Sequence, residues 1–295
     1  MNNLWAIGAD IGGSHITAAL VDLKKKTIAP DSLVRNRLDS KAGADDIIGI
    51  WSKTISEAGR GLPVSNIGIA IPGPFDYENG ISLIKDQNKY ESLYGLDVKT
   101  LLAQRLNGSS GDICLRNDAA CFLLGETFSG SGRGYEQAIG ITLGTGLGTS
   151  KFRDGQACDA GLWKAPFKDS MAEDYLSTRW FVKRFFELTG REVSGVRELS
   201  GQAGRDPNVK AVFDEFGKNL ALFVKHFIRK ETPQVVIMGG NIMQAYAFFE
   251  SILKEDISRE FPGVAIRKAA FGEEAALIGA ASCRYRELSG DKTSG

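Results

Sequence analysis

Histidine is rare and cysteine is unpaired in this chain of 295 residues. With only His15 and His226 present, chemistry built on a histidine cluster has almost no material. The four cysteines lie far apart and form no C-x-x-C pair; they are Cys114, Cys121, Cys158 and Cys283. Their spacing excludes a zinc knuckle, and we expect free thiols rather than structural disulfides.

Long apolar runs and net charge are absent as well. The longest apolar runs have the length of a strand, which excludes a transmembrane helix. Residues Met1–Trp5 show no basic segment leading into an apolar core, so we expect no signal peptide and a cytoplasmic location. Lys plus Arg balances Asp plus Glu at 36 each, so we expect neither nucleic acid nor a membrane as a partner.

Glycine, in contrast, is plentiful: 35 residues are glycine, well above the usual share of roughly 7%. The hydrophobic share of 43% and the charged share of 24% are ordinary for a globular protein. The length favours two domains. The glycines are therefore worth locating along the chain.

The first half of the chain predicts strands followed by an α/β alternation. Three strands form an opening meander, at Leu4–Asp10, Ile16–Asp22 and Thr27–Arg35. The next elements are a helix at 44–58, a strand at Asn66–Ile71, a helix near 97–106, a strand at Asp112–Arg116 and a helix at 119–128. Because residues 129–134 are glycine-rich, we place the lobe junction within 118–135, with a first lobe at 1–120 and a second at 121–272.

The second half repeats the opening order of strand, glycine turn and strand. The repeated strands are Gln137–Leu143 and 148–153. After them we expect helices near 171–189 and 208–230, a strand at Gln234–Met238, a helix at 243–259, a strand at 264–269 and a helix at 273–288. We expect the last helix to complete the first lobe. The pattern predicts an α/β protein of two related halves.

Three glycine turns directly follow apolar strands, at Asp10–Ser14, Leu143–Gly148 and Met238–Asn241. Glycines there let backbone N–H groups approach an anion, and consecutive N–H groups form a concave phosphate site. Any one of these turns alone would be explained as an ordinary hairpin turn without a phosphate-binding role. Three such turns, with Asp in the first and Thr in the second, favour nucleotide phosphates.

Other nucleotide-binding motifs are excluded by spacing, since there is no P-loop, no G-x-G-x-x-G that opens a helix and no H-R-D loop. The remaining pattern resembles the actin-like ATPase superfamily of sugar kinases, and within it the ROK family (repressors, open reading frames and kinases). The segments that carry the resemblance are Ile7–Ser14, Ile69–Pro74, Arg116–Ala120 with Gly125 and Glu126, Gly140–Gly148 and Val235–Gly240. The resemblance implies a two-lobed, ribonuclease H-like α/β fold with a central cleft.

The resemblance also implies ATP-dependent phosphorylation of a hexose or N-acylhexosamine, with Mg²⁺. The residues implied to bind the nucleotide are Asp10, Gly12, Gly13, Ser14, Gly144, Thr145, Gly146, Gly239 and Gly240. The residues implied to bind the sugar are Gly73, Asn117, Asp118 and Glu173. Lobe closure on both ligands, with a hinge near the junction, would expel water.

Two aspartates would carry the chemistry. Asp118 is either an ordinary helix N-cap or the base that accepts the proton of the attacking sugar hydroxyl, and the resemblance favours the base. Asp10 is either a solvated strand end or a ligand of Mg²⁺, held through water because this ion keeps much of its hydration shell. We expect the second role for Asp10.

The sequence departs from the family where most members have a zinc loop and a Glu-x-Gly-His segment. Neither the cysteines nor the histidine is present at 159–167, so we expect no zinc site. Other residues would have to meet the sugar hydroxyls in place of that segment; the candidates are Asp159, Trp163 and Lys164. His15 stands where many relatives carry Lys, and is either a phosphate contact or a solvent-facing strand residue.

The alternative to a kinase is a sugar-sensing, non-catalytic or regulatory member of the family. No helix-turn-helix segment is expected ahead of the first strand, which disfavours a repressor. The presence of both Asp10 and Asp118 favours catalysis. A homodimer is compatible with the sequence, which does not decide the oligomeric state.

Overall fold

The computed structural model describes residues 4–61 and 65–285. They fall into two compact units, one formed by residues up to Arg133 together with those from Glu273 onward, the other by Gly134–Gly272. The second unit begins at Gly134 rather than at residue 121, because the helix that follows Asn117 packs wholly within the first unit. In the described part of the chain, no helix is both long and apolar enough to span a membrane.

The first unit has a six-stranded sheet in the order β3-β2-β1-β5-β8, with β4 paired to β2. The six strands of this sheet are β1 (Trp5–Ile11), β2 (His15–Asp22), β3 (Thr27–Ile28), β4 (Val34–Arg37), β5 (Ile67–Ile71) and β8 (Ile113–Asn117). A separate small hairpin is formed by β6 (Phe75–Asp76) and β7 (Ile81–Ser82). Its helices up to this point are α1 (Ala44–Gly59), α2 (Val98–Leu106) and α3 (Asp118–Ser129). Strands β1, β5 and β8 run parallel, so their carboxyl ends meet at one edge of the sheet.

One expected strand of this unit is wrong. Residues Thr27–Arg35 do not form a single strand, because Pro30 has no N–H and Asp31 adopts a left-handed φ of 57°. The chain turns there, so that β3 and β4 pair separately with β2. Apart from the last helix, the other expected elements of this unit agree to within a residue or two.

The second unit has a five-stranded sheet in the order β11-β10-β9-β14-β15. The five strands of this sheet are β9 (Gln137–Leu143), β10 (Leu147–Arg153), β11 (Gln156–Asp159), β14 (Val235–Gly239) and β15 (Ala265–Lys268). A separate hairpin is formed by β12 (Pro166–Phe167) and β13 (Ser170–Met171). Its helices are α4 (Ala172–Tyr175), α5 (Thr178–Thr189), α6 (Val196–Gln202), α7 (Pro207–Glu231) and α8 (Glu250–Ser258). Strand β14 is parallel to β9, so the two glycine turns that follow them lie at the same edge.

Two of the helices expected in this unit are interrupted. The segment 171–189 breaks between α4 and α5, where Leu176 leaves helical geometry and Ser177 is extended. The segment 243–259 begins as the 3₁₀ helix Asn241–Phe248 before α8. Helix α6 was not expected from the sequence. At the first break, the Thr178 N–H donates to the Gly144 carbonyl at 2.8 Å, a partner outside the helix.

The last helix, α9 (Glu274–Ala281), packs on β1, β5 and α3 of the first unit. Glycines make this close packing possible. A Cβ on Gly68 of β5 would overlap the carbonyl oxygen of Ala280, and a Cβ on Gly279 would overlap that of Cys121. The helix expected at 273–288 is shorter in the structure, because α9 ends at Ala281 and the 3₁₀ turn Ser282–Arg284 follows it. Residues 286–288 lie outside the described residues. The opposite face of the sheet is covered by α1 and α2, around the buried Trp51.

Candidate active site

Asp10 and Asp118 lie at the carboxyl edge of the first sheet. Asp10 is the residue before the last of β1, and Asp118 is the first residue of α3, directly after β8. The Asn117 side chain caps α3 by accepting a hydrogen bond from the Ala120 N–H at 3.1 Å. The Asp118 carboxylate accepts one from the Ala119 N–H at 2.9 Å. The cap therefore fixes Asp118 at a helix N-terminus, where a negative charge is stabilised.

Electrostatic coupling links the two aspartates. The pKa of Asp10 is raised to about 7, mainly by burial and in addition by the nearby Asp118 and Glu273 carboxylates, while Arg35 opposes the rise. A carboxylate in such a position gains from any cation that relieves the repulsion. Asp10 therefore offers carboxylate oxygens as ligands, and a bound cation would stabilise its ionised form.

The first glycine turn, Gly12–Ser14, joins β1 to β2 at this edge. The Gly12 N–H donates to the His15 carbonyl at 3.0 Å, and Gly13 and Ser14 are exposed. The hydroxyl of the buried Tyr90 donates to the Gly12 carbonyl from below. The turn is held on its inner side while its outer backbone faces solvent.

A basic pair flanks the first turn. The Nε2 atom of His15 lies 2.7 Å from Nη2 of Arg35, which also pairs with Glu273 at 3.1 Å. Partial burial lowers the pKa of His15, and Arg35 lowers it further, whereas Glu273 raises it. His15 is therefore a neutral acceptor at physiological pH, and the positive charge beside the turn belongs to Arg35.

The Gly73 loop lies beyond β5 at the same edge, and Tyr77 organises it. The Tyr77 hydroxyl donates to the Ile71 carbonyl at 3.2 Å and lies 3.5 Å from Nδ2 of Asn117. A Cβ on Gly73 would come within 3.0 Å of that hydroxyl oxygen. Tyr77 therefore ties the Gly73 loop to the residue that precedes Asp118.

In the second unit, the turn Gly144–Gly146 joins β9 to β10. The Gly144 N–H donates to the Gly146 carbonyl at 3.1 Å, and Thr145 is exposed at the tip. Oε2 of Glu173 accepts a hydrogen bond from the Leu147 N–H at 3.0 Å, and Oε1 pairs with Arg179 at 2.7 Å. Glu173, expected as a sugar contact, is thus placed beside the second glycine turn.

The third turn, Gly239-Gly240, follows β14 in the same unit. Gly240 has a left-handed φ of 90°, and a Cβ there would overlap the carbonyl oxygen of Leu143. Gly239 pairs in register with Thr142. The second and third turns are therefore neighbours at one edge of the second sheet.

The expected site residues gather at one sheet edge in each unit. Those in the first unit are Asp10, Gly12, Gly13, Ser14, Gly73, Asn117 and Asp118, and those in the second are Gly144, Thr145, Gly146, Glu173, Gly239 and Gly240. Sequence reasoning missed Tyr77, Tyr90, Arg35, Glu273 and Thr178. For Arg35, the signal available was its place on a short strand paired with β2, close to the first turn.

The three residues considered as replacements for the Glu-x-Gly-His segment are exposed. Asp159 accepts a hydrogen bond from the Gly161 N–H at 2.8 Å, which is a local turn contact. The ammonium of Lys164 lies 6.0 Å from the ring centre of its neighbour Trp163. Within the described ranges, no group of three or more His, Cys, Asp or Glu side chains is arranged to hold a metal ion.

Comparison with known proteins gives a consistent result. The model of the ROK family matches residues 6–160 and 171–286. The chain is 28% identical to the glucokinase of Thermotoga maritima, over 98% of this chain and 100% of that protein. It is 24% identical to the N-acetyl-D-glucosamine kinase of Histophilus somni, over 93% of this chain and 97% of that protein.

The fold is also found among solved structures. A ROK family glucokinase from Streptomyces griseus, solved in complex with glucose and AMPPNP, superposes with a TM-score of 0.75 at 22% identity. The match covers 95% of this chain and 98% of that one. This likeness confirms the expected fold class, a mixed α/β fold of the actin-like ATPase type.

Proposed function

The chain belongs to the ROK family, and we propose that it is an ATP-dependent sugar kinase acting on a hydroxyl of a hexose or an N-acylhexosamine. Among the relatives that it matches along nearly their full length are a glucokinase and an N-acetyl-D-glucosamine kinase. These two names bracket the substrate class, a hexose with or without an acylated amine.

One observation carries the proposal. Asp10 and Asp118 lie at the same carboxyl edge of the first sheet, where the first glycine turn begins. A phosphoryl transfer to a sugar needs a carboxylate for the proton of the nucleophile and a second one for a cation. A protein that only binds sugar needs neither.

In the proposed reaction, the Asp118 carboxylate accepts the proton of the attacking sugar hydroxyl. The sugar oxygen then forms a bond to the γ-phosphorus, while the bond from that phosphorus to the bridging oxygen breaks and ADP leaves. The hydrogen bond from the Ala119 N–H holds the Asp118 carboxylate at the α3 N-terminus, so it is fixed before the transfer. Asn117 and the Gly73 loop, joined through Tyr77, would orient the sugar.

Asp10 fits a role in holding Mg²⁺. The ion prefers oxygen ligands, keeps several waters and is usually bound by one or two carboxylates together with phosphates. A partly buried carboxylate with the Asp118 and Glu273 carboxylates nearby suits this arrangement better than a complete protein cage does. When bound, the ion supplies charge neutralisation at the phosphates.

The glycine turns are proposed to bind phosphate oxygens through their backbone. Gly13 and Ser14 in the first unit and Thr145 in the second are exposed, and their backbone N–H groups would be the donors. Gly239 and Gly240 adjoin the second turn. A Cβ on Gly240 would overlap the carbonyl oxygen of Leu143.

The test is ADP release from ATP and Mg²⁺ across glucose, mannose, fructose, N-acetylglucosamine and N-acetylmannosamine. We expect one of these sugars to support turnover and Asp118→Asn to abolish it. Asp46→Asn is the matched control, since Asp46 also lies in the first turn of a helix but is exposed on α1. Sugar binding without ADP release would instead indicate the sugar-sensing alternative.

A further inference from the structure

The second glycine turn is anchored by the segment that follows the β12–β13 hairpin. The Glu173 carboxylate uses one oxygen for the Leu147 N–H at 3.0 Å and the other for Arg179 at 2.7 Å. Both the N–H and the hydroxyl of Thr178 donate to the Gly144 carbonyl, at 2.8 and 3.0 Å. Three side chains within seven residues therefore fix both ends of the turn.

The fit at Gly146 is close. A Cβ on this residue would lie 2.7 Å from Oε2 of Glu173, closer than real Cβ contacts come. The carboxylate thus occupies the space that a larger residue in the turn would need. Glu173 itself is only partly exposed, with 21% of its side chain accessible, whereas Arg179 reaches it from solvent.

We propose that Glu173, oriented by Arg179, is a positioning residue for the turn 144–147 and thereby for nucleotide binding. The inference rests on the proposed function only in naming the nucleotide as the ligand of the turn. It differs from the sugar-contact role expected from the sequence, because it requires an effect on nucleotide affinity when no sugar is present.

The ion pair between Arg179 and Glu173 affects the charge beside the turn. A lone carboxylate beside a turn that receives phosphates would repel them, and the guanidinium neutralises it while leaving Oε2 on the Leu147 N–H. Removing Arg179 alone leaves an uncompensated negative charge at the turn. Removing both side chains takes that charge away.

Two measurements test the proposal. The first is hydrogen exchange of the Leu147 amide in the ligand-free protein, and the second is the affinity for AMPPNP, with Mg²⁺ and without sugar, by calorimetry. The variants are Glu173→Ala, Glu173→Gln, Arg179→Gln and the double variant Glu173→Ala/Arg179→Gln. The matched control is Asp174→Asn, since Asp174 is the exposed neighbour on α4 that accepts a hydrogen bond from Ser170.

We expect Glu173→Ala to speed Leu147 exchange and weaken AMPPNP binding, each by about tenfold or more. Glu173→Gln keeps an acceptor oxygen, so it should lose less protection at Leu147. The double variant also lacks the Glu173 carboxylate, so it should weaken AMPPNP binding about as much as Glu173→Ala does. Arg179→Gln keeps the hydrogen bond from the Leu147 N–H and should weaken AMPPNP binding less, and Asp174→Asn should stay within about twofold of wild type. Circular dichroism and thermal melts confirm that each variant is folded.

The proposal is overturned if Glu173→Ala leaves both Leu147 exchange and AMPPNP affinity unchanged while the KM for sugar alone rises. That result would assign Glu173 to the sugar. If wild type itself fails to bind AMPPNP, the proposed function fails, yet Leu147 exchange still reports whether Glu173 holds the turn. The two failures are therefore separable.

Discussion

The first and second glycine turns end equivalent strands and differ in what surrounds them. Each follows the central strand of a sheet in which an antiparallel hairpin partner lies on one side and a parallel strand on the other. The first turn lies among three carboxylates, an arginine and a histidine. The second has one ion pair, Glu173 with Arg179, and a threonine.

The difference shows how a repeated topology acquires separate tasks. Sheet order alone produces two glycine turns with exposed residues, and turns of this kind suit an anion. Only the first unit adds coupled acids, with the pKa of Asp10 raised to about 7. We therefore assign proton and cation chemistry to the first turn, and phosphate positioning to the second.

Among the differences between the two turns, we expect substitution of Asp118 to have the largest effect on activity. Asp118→Asn keeps the size of the side chain and much of its hydrogen bonding, but it cannot accept a proton. We expect kcat to fall by at least about a hundredfold, with the sugar affinity within about tenfold of wild type. Steady-state kinetics and sugar titration measure the two effects. Wild-type kcat in this variant would remove Asp118 from the mechanism.

The stability of the protein should depend on pH through Asp10. Its pKa is raised from 3.8 to about 7 on folding, so the stabilising contribution is present at low pH and is lost as pH rises from about 4 to 7. At 1.36 kcal/mol per pH unit, the loss amounts to about 4 kcal/mol. Chemical denaturation across this range should show wild type losing up to about 4 kcal/mol of stability relative to Asp10→Asn, whose side chain does not titrate. A constant difference would mean that Asp10 titrates normally.

Much of this site follows from sequence. Glycine turns after apolar strands, and aspartates at the ends of parallel strands, were located correctly by local pattern, since both depend on neighbours along the chain. The strand at Gln137–Leu143 was predicted with its observed bounds. These features are local, and a periodic sequence specifies them well.

The packing glycines could not be interpreted from sequence. Gly68 lies in the middle of a strand and Gly279 in the middle of a helix, where glycine has a conformational cost and no turn to form. Their purpose appears only when α9 is seen against β5 and α3. Tyr90 and Arg35 were missed for the same reason, because their partners Gly12 and Glu273 are distant along the chain.

Magnesium dependence should sharpen the contrast between the turns. The proposed Mg²⁺ ligand is the ionised form of Asp10, so protonation competes with the ion below pH 7. At limiting Mg²⁺, we expect kcat/KM to fall by up to about tenfold per pH unit below 7, and saturating Mg²⁺ to move that fall to lower pH. Activity profiles at two Mg²⁺ concentrations measure this. Profiles that coincide would argue against Asp10 as the ligand.

The smallest expected effect concerns how the first turn is held. In the second unit a charged pair anchors the turn, whereas in the first a buried phenol does so, through the Tyr90 hydroxyl and the Gly12 carbonyl. Burial raises the pKa of Tyr90, and the nearby Asp10 raises it further, so the hydroxyl remains a donor at every working pH.

Tyr90→Phe keeps the ring packed against Trp51 and removes only this bond. We expect a loss of about 1 kcal/mol in stability and a rise of severalfold in the KM for ATP. Tyr94→Phe is the matched control, because Tyr94 is an exposed neighbour whose ring faces Lys85. Should both variants behave alike, the first turn would be rigid without Tyr90, and the two turns would differ in charge but not in how they are anchored.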